Sequence, residues 1–540
     1  MADSGPSSRR YGCPACGSGL RYDIASDGMK CDQCGSLTPI ASLPAEEPQE
    51  NMEVTEFHCP QCGAAVYSTD TEVTSFCTFC GSDVVLTGKL SRTKRPAKIV
   101  PFRVTREECE GAYRDHLKKY LLAPADLKSA ETFSHFRPVY VPFWSYQVSA
   151  EGPARLEGKK SYTKGNTQYD ETYDLTMDAK IRQSGILYDA SSAFEDETAA
   201  MLKHTAEDAV PFHPAYLSGF YAQGADVPGE TYHSEAAASA VRKFMEKVKE
   251  ENGMDSVEMK GDISENFGLP SARFREDLVM MPVWLLAHRQ GARVVYTAVN
   301  GRSGEVVQDV PVSNGKVIGV ILLLAAALFA LLQMSVTLRP ELLMSLCAVL
   351  GVITVYQFSG SQRRLWKRRT RAWEPHPEEN REFVGPAQAM LKRGKNGISA
   401  KSGSGLSGGK NLVYIIGLLA VCLAYVAMRI PRLGSLLSGS SQRMITLAVM
   451  AVSLAVMVIH AIRRLKTKDS GASWPRLISC LACAAGLLFL VTGQVEDLVY
   501  YGCAAAMLLA SVVELLISNQ AHNEYASRPV PFFGETEVTE

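Results

Sequence analysis

The chain has 540 residues, of which 46% are hydrophobic and 21% charged, with a formal net charge of -1. A chain this apolar is not globally disordered, and one this evenly charged is not a globally basic nucleic-acid binder. Its length calls for at least two domains, and a mixed first part gives way to apolar blocks alternating with basic loops.

The N-terminus, MADSGPSSRRYGC, has no apolar h-region and is expected to carry no secretory signal. Cysteines that stay in a reducing compartment are expected to be metal ligands rather than disulfides. Cys13 and Cys16 form one CxxC pair and Cys31 and Cys34 a second; Cys59 with Cys62 and Cys77 with Cys80 repeat the spacing. A glycine follows every pair (Gly17, Gly35, Gly63, Gly81), where a tight turn needs positive φ. Two facing knuckles make a four-thiolate site suited to structural Zn²⁺, with no coordination position left open for catalysis. The expectation is a small β zinc ribbon at 10–36 and another at 57–88, each unfolded by chelation. Redox CxxC pairs would need a thioredoxin-like βαβ context that is not visible here. Iron in place of zinc, or ligands exchanged between the ribbons, remain alternatives. The Pro- and acid-rich stretch 37–56 reads as a flexible linker.

Residues 96–312 read as an α+β cytoplasmic domain. Thr105 and Glu108 make a capping box ahead of a helix. Strands are expected at 139–148, 169–177 and 181–188. A second capping box, Ser192 and Glu195, opens a short helix to about residue 204, and 229–251 holds a longer one. A hairpin over 278–288 and 293–299 turns at Gln290-Gly291, and a last strand covers 305–310. VPFW, ending at Trp144, and MPVW, ending at Trp284, read as a weak internal repeat. There is no HExxH, EF-hand loop or P-loop. His135, His204, His213, His233 and His288 lack ligand spacing, and Asp189, Glu195, Asp196 and Glu197 suit capping and solvation. No catalytic residue is expected, and no enzyme.

Six apolar runs follow, at 317–338, 342–358, 412–428, 444–462, 477–491 and 498–517. They predict an α-helical transmembrane bundle of about six helices: a hairpin in 317–358, four further helices in 412–517, a basic Gly/Ser-rich loop at 361–410 and a tail at 518–540. The positive-inside rule places both termini of this multi-pass cell-membrane protein in the cytoplasm. Arg363, Arg364, Lys367, Arg368, Arg369 and Arg371 are expected to meet anionic lipid headgroups. Glu514 and His460 are expected near the cytoplasmic ends of their spans, and Cys480 and Cys483 as packing residues. Matches to GxGxxG and GxSxG within 403–409 lie in a flexible linker without the strand and helix those motifs need, so they are rejected.

The ordered motifs CPxCG in tandem, KIVPFRV, VPFWSYQVSAEG, YDASSAFED, PFHPAYLSGFYAQGADV, MPVWLL with AVNGRSGEVV, and SRPVPFF resemble the bacterial TFIIB-type zinc-ribbon multi-pass membrane proteins. Some members carry a primosomal helicase name, but unwinding needs a nucleotide-binding core that this chain lacks. Some relatives look like membrane anchors of phage-shock or flotillin-type systems. The resemblance implies a non-enzymatic scaffold that docks protein partners at the cytoplasmic membrane face in the envelope-stress response. The alternative is a tethered nucleic-acid-binding regulator using Arg92, Lys94, Arg95 and Lys98; a transporter fits less well.

Overall fold

The computed structural model describes residues 11–44, 50–68, 77–83, 87–164, 167–191, 207–261, 266–335, 340–341, 343–354, 439–465, 474–493 and 496–530. A three-stranded sheet at the N-terminus joins β1 (Leu20–Asp23), β2 (Gly28–Cys31) and β3 (Leu37–Thr38). Then come β4 (Asn51–His58), β5 (Ala65–Ser68), β6 (Thr87–Lys94) and β7 (Lys98–Ile99). Helices α1 (Arg106–Lys118) and α2 (Ala130–Ser134) precede a long hairpin of β8 (Arg137–Lys164) and β9 (Thr167–Asp189). The chain continues through β10 (Val210–Pro211), β11 (Tyr221–Ala222), α3 (His233–Glu251) and β12 (Ser256–Met259). A second hairpin, β13 (Arg273–Gln290) with β14 (Arg293–Asn300), is followed by β15 (Val306–Gln308). Five helices come next: α4 (Asn314–Ser335), α5 (Leu343–Thr354), α6 (Gly439–Leu465), α7 (Trp474–Thr492) and α8 (Asp497–Ala526). Strand β16 (Arg528–Pro529) ends the described chain.

One 13-stranded sheet dominates, in the order β10-β7-β13-β8-β11-β5-β4-β6, with β9 and β12 on β8, β14 on β13, and β15 and β16 on β14. The strands of the second cysteine region therefore continue the sheet of the middle region, through the pairing of Ala222 with Tyr67. The predicted linker supplies β3 and all of β4 but its last two residues. The start of α1 is as expected: the Glu108 carboxylate accepts from the Thr105 amide at 2.8 Å, and the Thr105 hydroxyl accepts from the Glu108 amide. The second capping box and its helix lie outside the described residues.

The Pro-x-Trp repeat marks a pseudo-twofold axis. β8 and β13 are antiparallel neighbours, with Val141 opposite Met281. About that point the hydrogen bonds match in pairs. The Pro142 carbonyl accepts from the Ala190 amide, as that of Pro282 accepts from Gly301. The Ala190 carbonyl takes the amides of Asp226 and Val227; that of Gly301 takes those of Arg103 and Val104. The Trp144 indole then donates to the Val227 carbonyl at 2.8 Å, and that of Trp284 to the Val104 carbonyl at 2.9 Å. A helix follows each anchored segment, α3 after Val227 and α1 after Val104. β11 runs parallel to β8 as β7 does to β13. Each unit is an extended segment, a helix and a long hairpin, and each segment lies on the hairpin of the other unit. The alternating residues Trp144, Tyr146, Val148, Ala150, Ala154 and Leu156 form one buried face of β8 against Ala236, Ala240 and Val241 of α3. Trp284 packs instead with Phe102 and Tyr113 of the α1 side.

The six-helix transmembrane bundle is not what the structure shows. Among the described residues two helices are long and apolar enough to cross a membrane, α7 and α8, by length and composition alone. The apolar helical stretches Asn314–Leu323, Leu343–Thr354 and Thr446–Ile462 are shorter, and the expected run 412–428 lies outside the described residues. The multi-pass membrane placement, and the orientation of the termini drawn from it, therefore lose their support. The physical reason is that hydropathy reports which residues avoid water and not what covers them. Here Met344, Cys347, Met450, Met457, Cys483, Leu490, Tyr500 and Met507 bury one another in a helical cluster. Arg476, which the positive-inside reading takes as a loop cation, lies on α7 and is buried against Glu514 of α8, with its Nε 3.0 Å from the Glu514 Oε1. Glu514 thus reaches a guanidinium and not a headgroup. The six lipid-facing cations at 363–371 lie outside the described residues.

Candidate metal centres

Each CxxCG segment closes on itself in the same way. The amide of Gly17, Gly35, Gly63 or Gly81 bonds the carbonyl of the first cysteine of its pair, at 2.8, 2.9, 2.8 and 3.0 Å. The amide of that first cysteine bonds the carbonyl of the residue after the glycine. This turn brings the glycine to φ values of 76, 72, 75 and 67°, a region where a Cβ is strained. Both sulfurs of a knuckle then face the same side.

The knuckles meet in two separate sets. Cys13, Cys16, Cys31 and Cys34 form one, and Cys59, Cys62, Cys77 and Cys80 the other; within each set the sulfurs lie within 4.8 Å of one another. Each set can hold a metal ion, and the ligands are not exchanged between the two regions. All eight thiols are free of disulfides. The closest approaches are 3.6 Å for Cys13–Cys34 and 3.5 Å for Cys16–Cys31 in the first set. They are 3.8 Å for Cys59–Cys80 and for Cys62–Cys77 in the second.

The surroundings differ. In the first set Cys16 and Cys34 are exposed, whereas all four cysteines of the second are buried. The Ser36 hydroxyl lies 3.0 Å from Cys13 Sγ and 3.1 Å from Cys34 Sγ. Hydrogen bonding from Ser36 lowers Cys13 to about 6 and also lowers Cys34. Burial pushes Cys59 up to about 11, and Cys77 is raised by its bond to Cys62 and then by burial.

The first set sits on the sheet domain through Tyr22, whose hydroxyl donates to Asp27 at 2.6 Å and whose ring packs on Tyr216 and Phe220. The second is locked to the β13–β14 hairpin. Arg289 donates to the Ser82 hydroxyl at 2.8 Å, and the Tyr296 hydroxyl donates to the Phe79 carbonyl. A Cβ on Gly81 would come within 2.7 Å of the Ala287 carbonyl oxygen, while one on Gly17 would meet nothing within 4 Å. Gly17→Ala should therefore cost only the backbone strain, about 1 kcal/mol. Gly81→Ala should cost more, about 2–4 kcal/mol, because the backbone contact must open as well. Parallel denaturation curves of the two variants check this difference.

The other sequence candidates do not join these centres. His213 caps the Ala215 amide, His233 pairs with Glu276 at 2.9 Å, and His288 pairs with Asp126 at 3.1 Å. Asp189 ends β9, and His204, Glu195, Asp196 and Glu197 lie outside the described residues. In the basic strip Arg92 pairs with Glu53, Lys94 sits over Trp144 and Arg95 over Phe212. Sequence reasoning missed the Arg476–Glu514 pair and the Tyr296 contact; no local motif marks either.

Fold and site together define a sheet-rich protein with two four-cysteine centres able to hold metal. It is similar to an uncharacterized protein, YdjG, of Bacillus subtilis strain 168, with 28% identity over 318 residues, 57% of this chain and 91% of the relative. No protein-family model matches the chain, and no solved structure does.

Proposed function

We propose that the chain is a non-enzymatic zinc-ribbon scaffold that docks protein partners. The observation that carries this is the sulfur geometry. Zn–S bonds of about 2.3 Å arranged as a tetrahedron have edges of about 3.8 Å, and the closest sulfurs of the second set stand 3.8 Å apart. Four thiolates select zinc over oxygen-loving cations, and a closed tetrahedron leaves no position for a reacting water. Structural metal is thus the role these residues suit. The first set, with Cys16 and Cys34 at the surface, presents its knuckles outward as a contact face. The resemblance to TFIIB-type zinc-ribbon proteins supports partners of the phage-shock or flotillin type.

The test is metal analysis of the purified chain followed by cross-linked capture. Two zinc ions per chain are expected, and the Cys13→Ser/Cys16→Ser variant should hold one. That variant should also lose the captured partner while its sheet domain stays folded. Capture that is indifferent to both cysteine sets would defeat the scaffold reading.

A further inference from the structure

The β13–β14 hairpin lies between two things that are far apart in the chain. On one side is the second cysteine set. Cys80 Sγ is 3.2 Å from the Ser82 hydroxyl, which accepts from Arg289 on β13 at 2.8 Å, and Tyr296 on β14 holds the Phe79 carbonyl beside Cys80. On the other side is the end of the C-terminal helix pair. β16 pairs with β14, Val294 opposite Arg528, and the Val530 amide bonds the Ala292 carbonyl. Arg293 donates to the Ser527 hydroxyl at 2.8 Å and to the carbonyls of Glu524 and Ser527 at 2.8 and 2.6 Å. Asn523 of α8 exchanges two hydrogen bonds with the backbone of Val312, at 2.7 and 2.8 Å.

The two sides share residues. The Arg528 guanidinium lies 5.4 Å from the centre of the Tyr296 ring, whose hydroxyl is the one bonded to Phe79. Val530 packs against the cluster formed by the second set of cysteines with Phe57, Val66 and Phe79. That cluster is half cysteine by number, so its shape depends on whatever holds the sulfurs together. The first set shows no such link: its own Tyr22 carries the contacts, to Ser218, Tyr216 and Phe220 in the segment that precedes β11.

We propose that metal occupancy of the second four-cysteine set controls a clasp, in which Tyr296, Arg528 and Val530 hold the end of α8 on the sheet domain. This rests on the metal-binding reading above. With the metal present, the Phe79 carbonyl and the apolar cluster are fixed, and the tail has a seat. When the metal leaves, the knuckles relax, the Tyr296 hydroxyl loses its acceptor, and β16 peels from the short edge it shares with β14. A two-residue strand has little ladder of its own to resist this. The end of α8 then keeps its bonds to Arg293, Val310 and Val312, made through Ser527, Glu524, His522 and Asn523, while residues 528–530 lose their seat. The outcome is a switch that converts zinc loss at one centre into loosening of the C-terminal segment.

The experiment is hydrogen exchange by mass spectrometry on the full chain, with metal content measured on the same samples. Loss of metal from the second set, in Cys59→Ser/Cys62→Ser, should speed exchange at residues 522–530 by about tenfold or more. Loss from the first set, in Cys13→Ser/Cys16→Ser, should leave that segment unchanged. Tyr296→Phe keeps the ring and both metals but removes the hydroxyl, and should loosen the tail partway. Metal lost from the second set with an unmoved tail would overturn the clasp alone. A wild-type chain without metal would overturn the site reading and the clasp with it. Faster exchange shared by β8, β9 and α3 would be general unfolding and would also overturn it.

Discussion

Treating the zinc-loaded chain with a chelator at neutral pH should remove the two ions in two phases, the first from the set that includes Cys16 and Cys34. Those two sulfurs are exposed, so a chelator can attack a ligand directly. The second set is buried on all four cysteines and backed by the β13–β14 hairpin, so its metal leaves only after local opening. Proton release on reloading should differ in the same sense. In the first set Cys13, at about 6 because Ser36 bonds it, and Cys34 are lowered, and Cys16 is raised to about 12. Cys59, raised to about 11 by burial, and Cys77, also raised, must give up protons as the metal enters. Metal uptake by the second set should therefore strengthen steadily as pH rises from 7 toward 11. Without metal the sign reverses. A thiol whose folded pKa exceeds its ordinary value of 9.0 stabilises the fold below pH 9, and that contribution fades between 9 and about 11. Complete stripping should have a large effect, since a structural four-thiolate zinc contributes about 10–16 kcal/mol of apparent binding free energy. The second cluster has little besides cysteines, Phe57, Ala64, Val66 and Phe79 to hold it otherwise. Native mass spectrometry of the wild type and the two double-serine variants assigns each phase. A single phase, or departure of the buried ion first, would refute this order.

What the sequence made legible follows the range of the interactions involved. The cysteine sets were readable because a knuckle is local: CxxCG carries its ligands, its turn and its glycine within five residues. The same holds for the Thr105 cap and for the hairpin at Gln290, where Gln290 faces Arg293 across the turn. The Pro-x-Trp repeat was visible as letters, but its meaning was not. It needed the bonds from Ala190 to Asp226 and from Gly301 to Arg103, which join segments that only the folded chain brings together. The strand pairing that joins the second cysteine region to the main sheet rests on one residue pair, Ala222 with Tyr67, and no periodicity announces it.

The helices were misjudged for a different reason. Apolar runs show that side chains avoid water, and lipid and a neighbouring helix satisfy that need equally well. Met344, Cys483 and Met507 turn inward on one another, and Leu477, Leu481, Leu498 and Leu509 turn outward. Hydropathy sums both faces. Counting positive charges added a further error, because it treats every arginine as solvated, and Arg476 is 2% exposed.

That arginine carries the second large expected effect. Arg476→Met or Glu514→Leu alone should destabilise the packing of α7 on α8 by about 3–5 kcal/mol, whereas the double variant should lie close to the wild type. Both groups are nearly inaccessible, at 2% and 3% exposure, so neither can be hydrated if its partner is removed. The pair is held on more than one side. Arg476 donates to Glu514 through both Nε and Nη2, and the Thr354 hydroxyl of α5 reaches the second carboxylate oxygen at 3.4 Å. One turn from the pair on each helix stand Ser479 and Ser511, whose buried hydroxyls have no hydrogen-bond partner among the described residues. They offer a stranded charge nothing that matches the lost ion. Removing both charges leaves an apolar pair between two helices that already share an apolar cluster, with Cys483 and Leu490 on α7 and Met507 on α8. Chemical denaturation of the two single variants and the double variant, read as a cycle, measures the coupling. A double variant as unstable as the sum of the singles would show that the two residues act independently and that the ion pair does not set how these helices meet. Thr354→Val should cost about 1 kcal/mol in both backgrounds, because its hydroxyl donates at 2.9 Å to the Gly351 carbonyl, which stays when the longer 3.4 Å contact to Glu514 is lost.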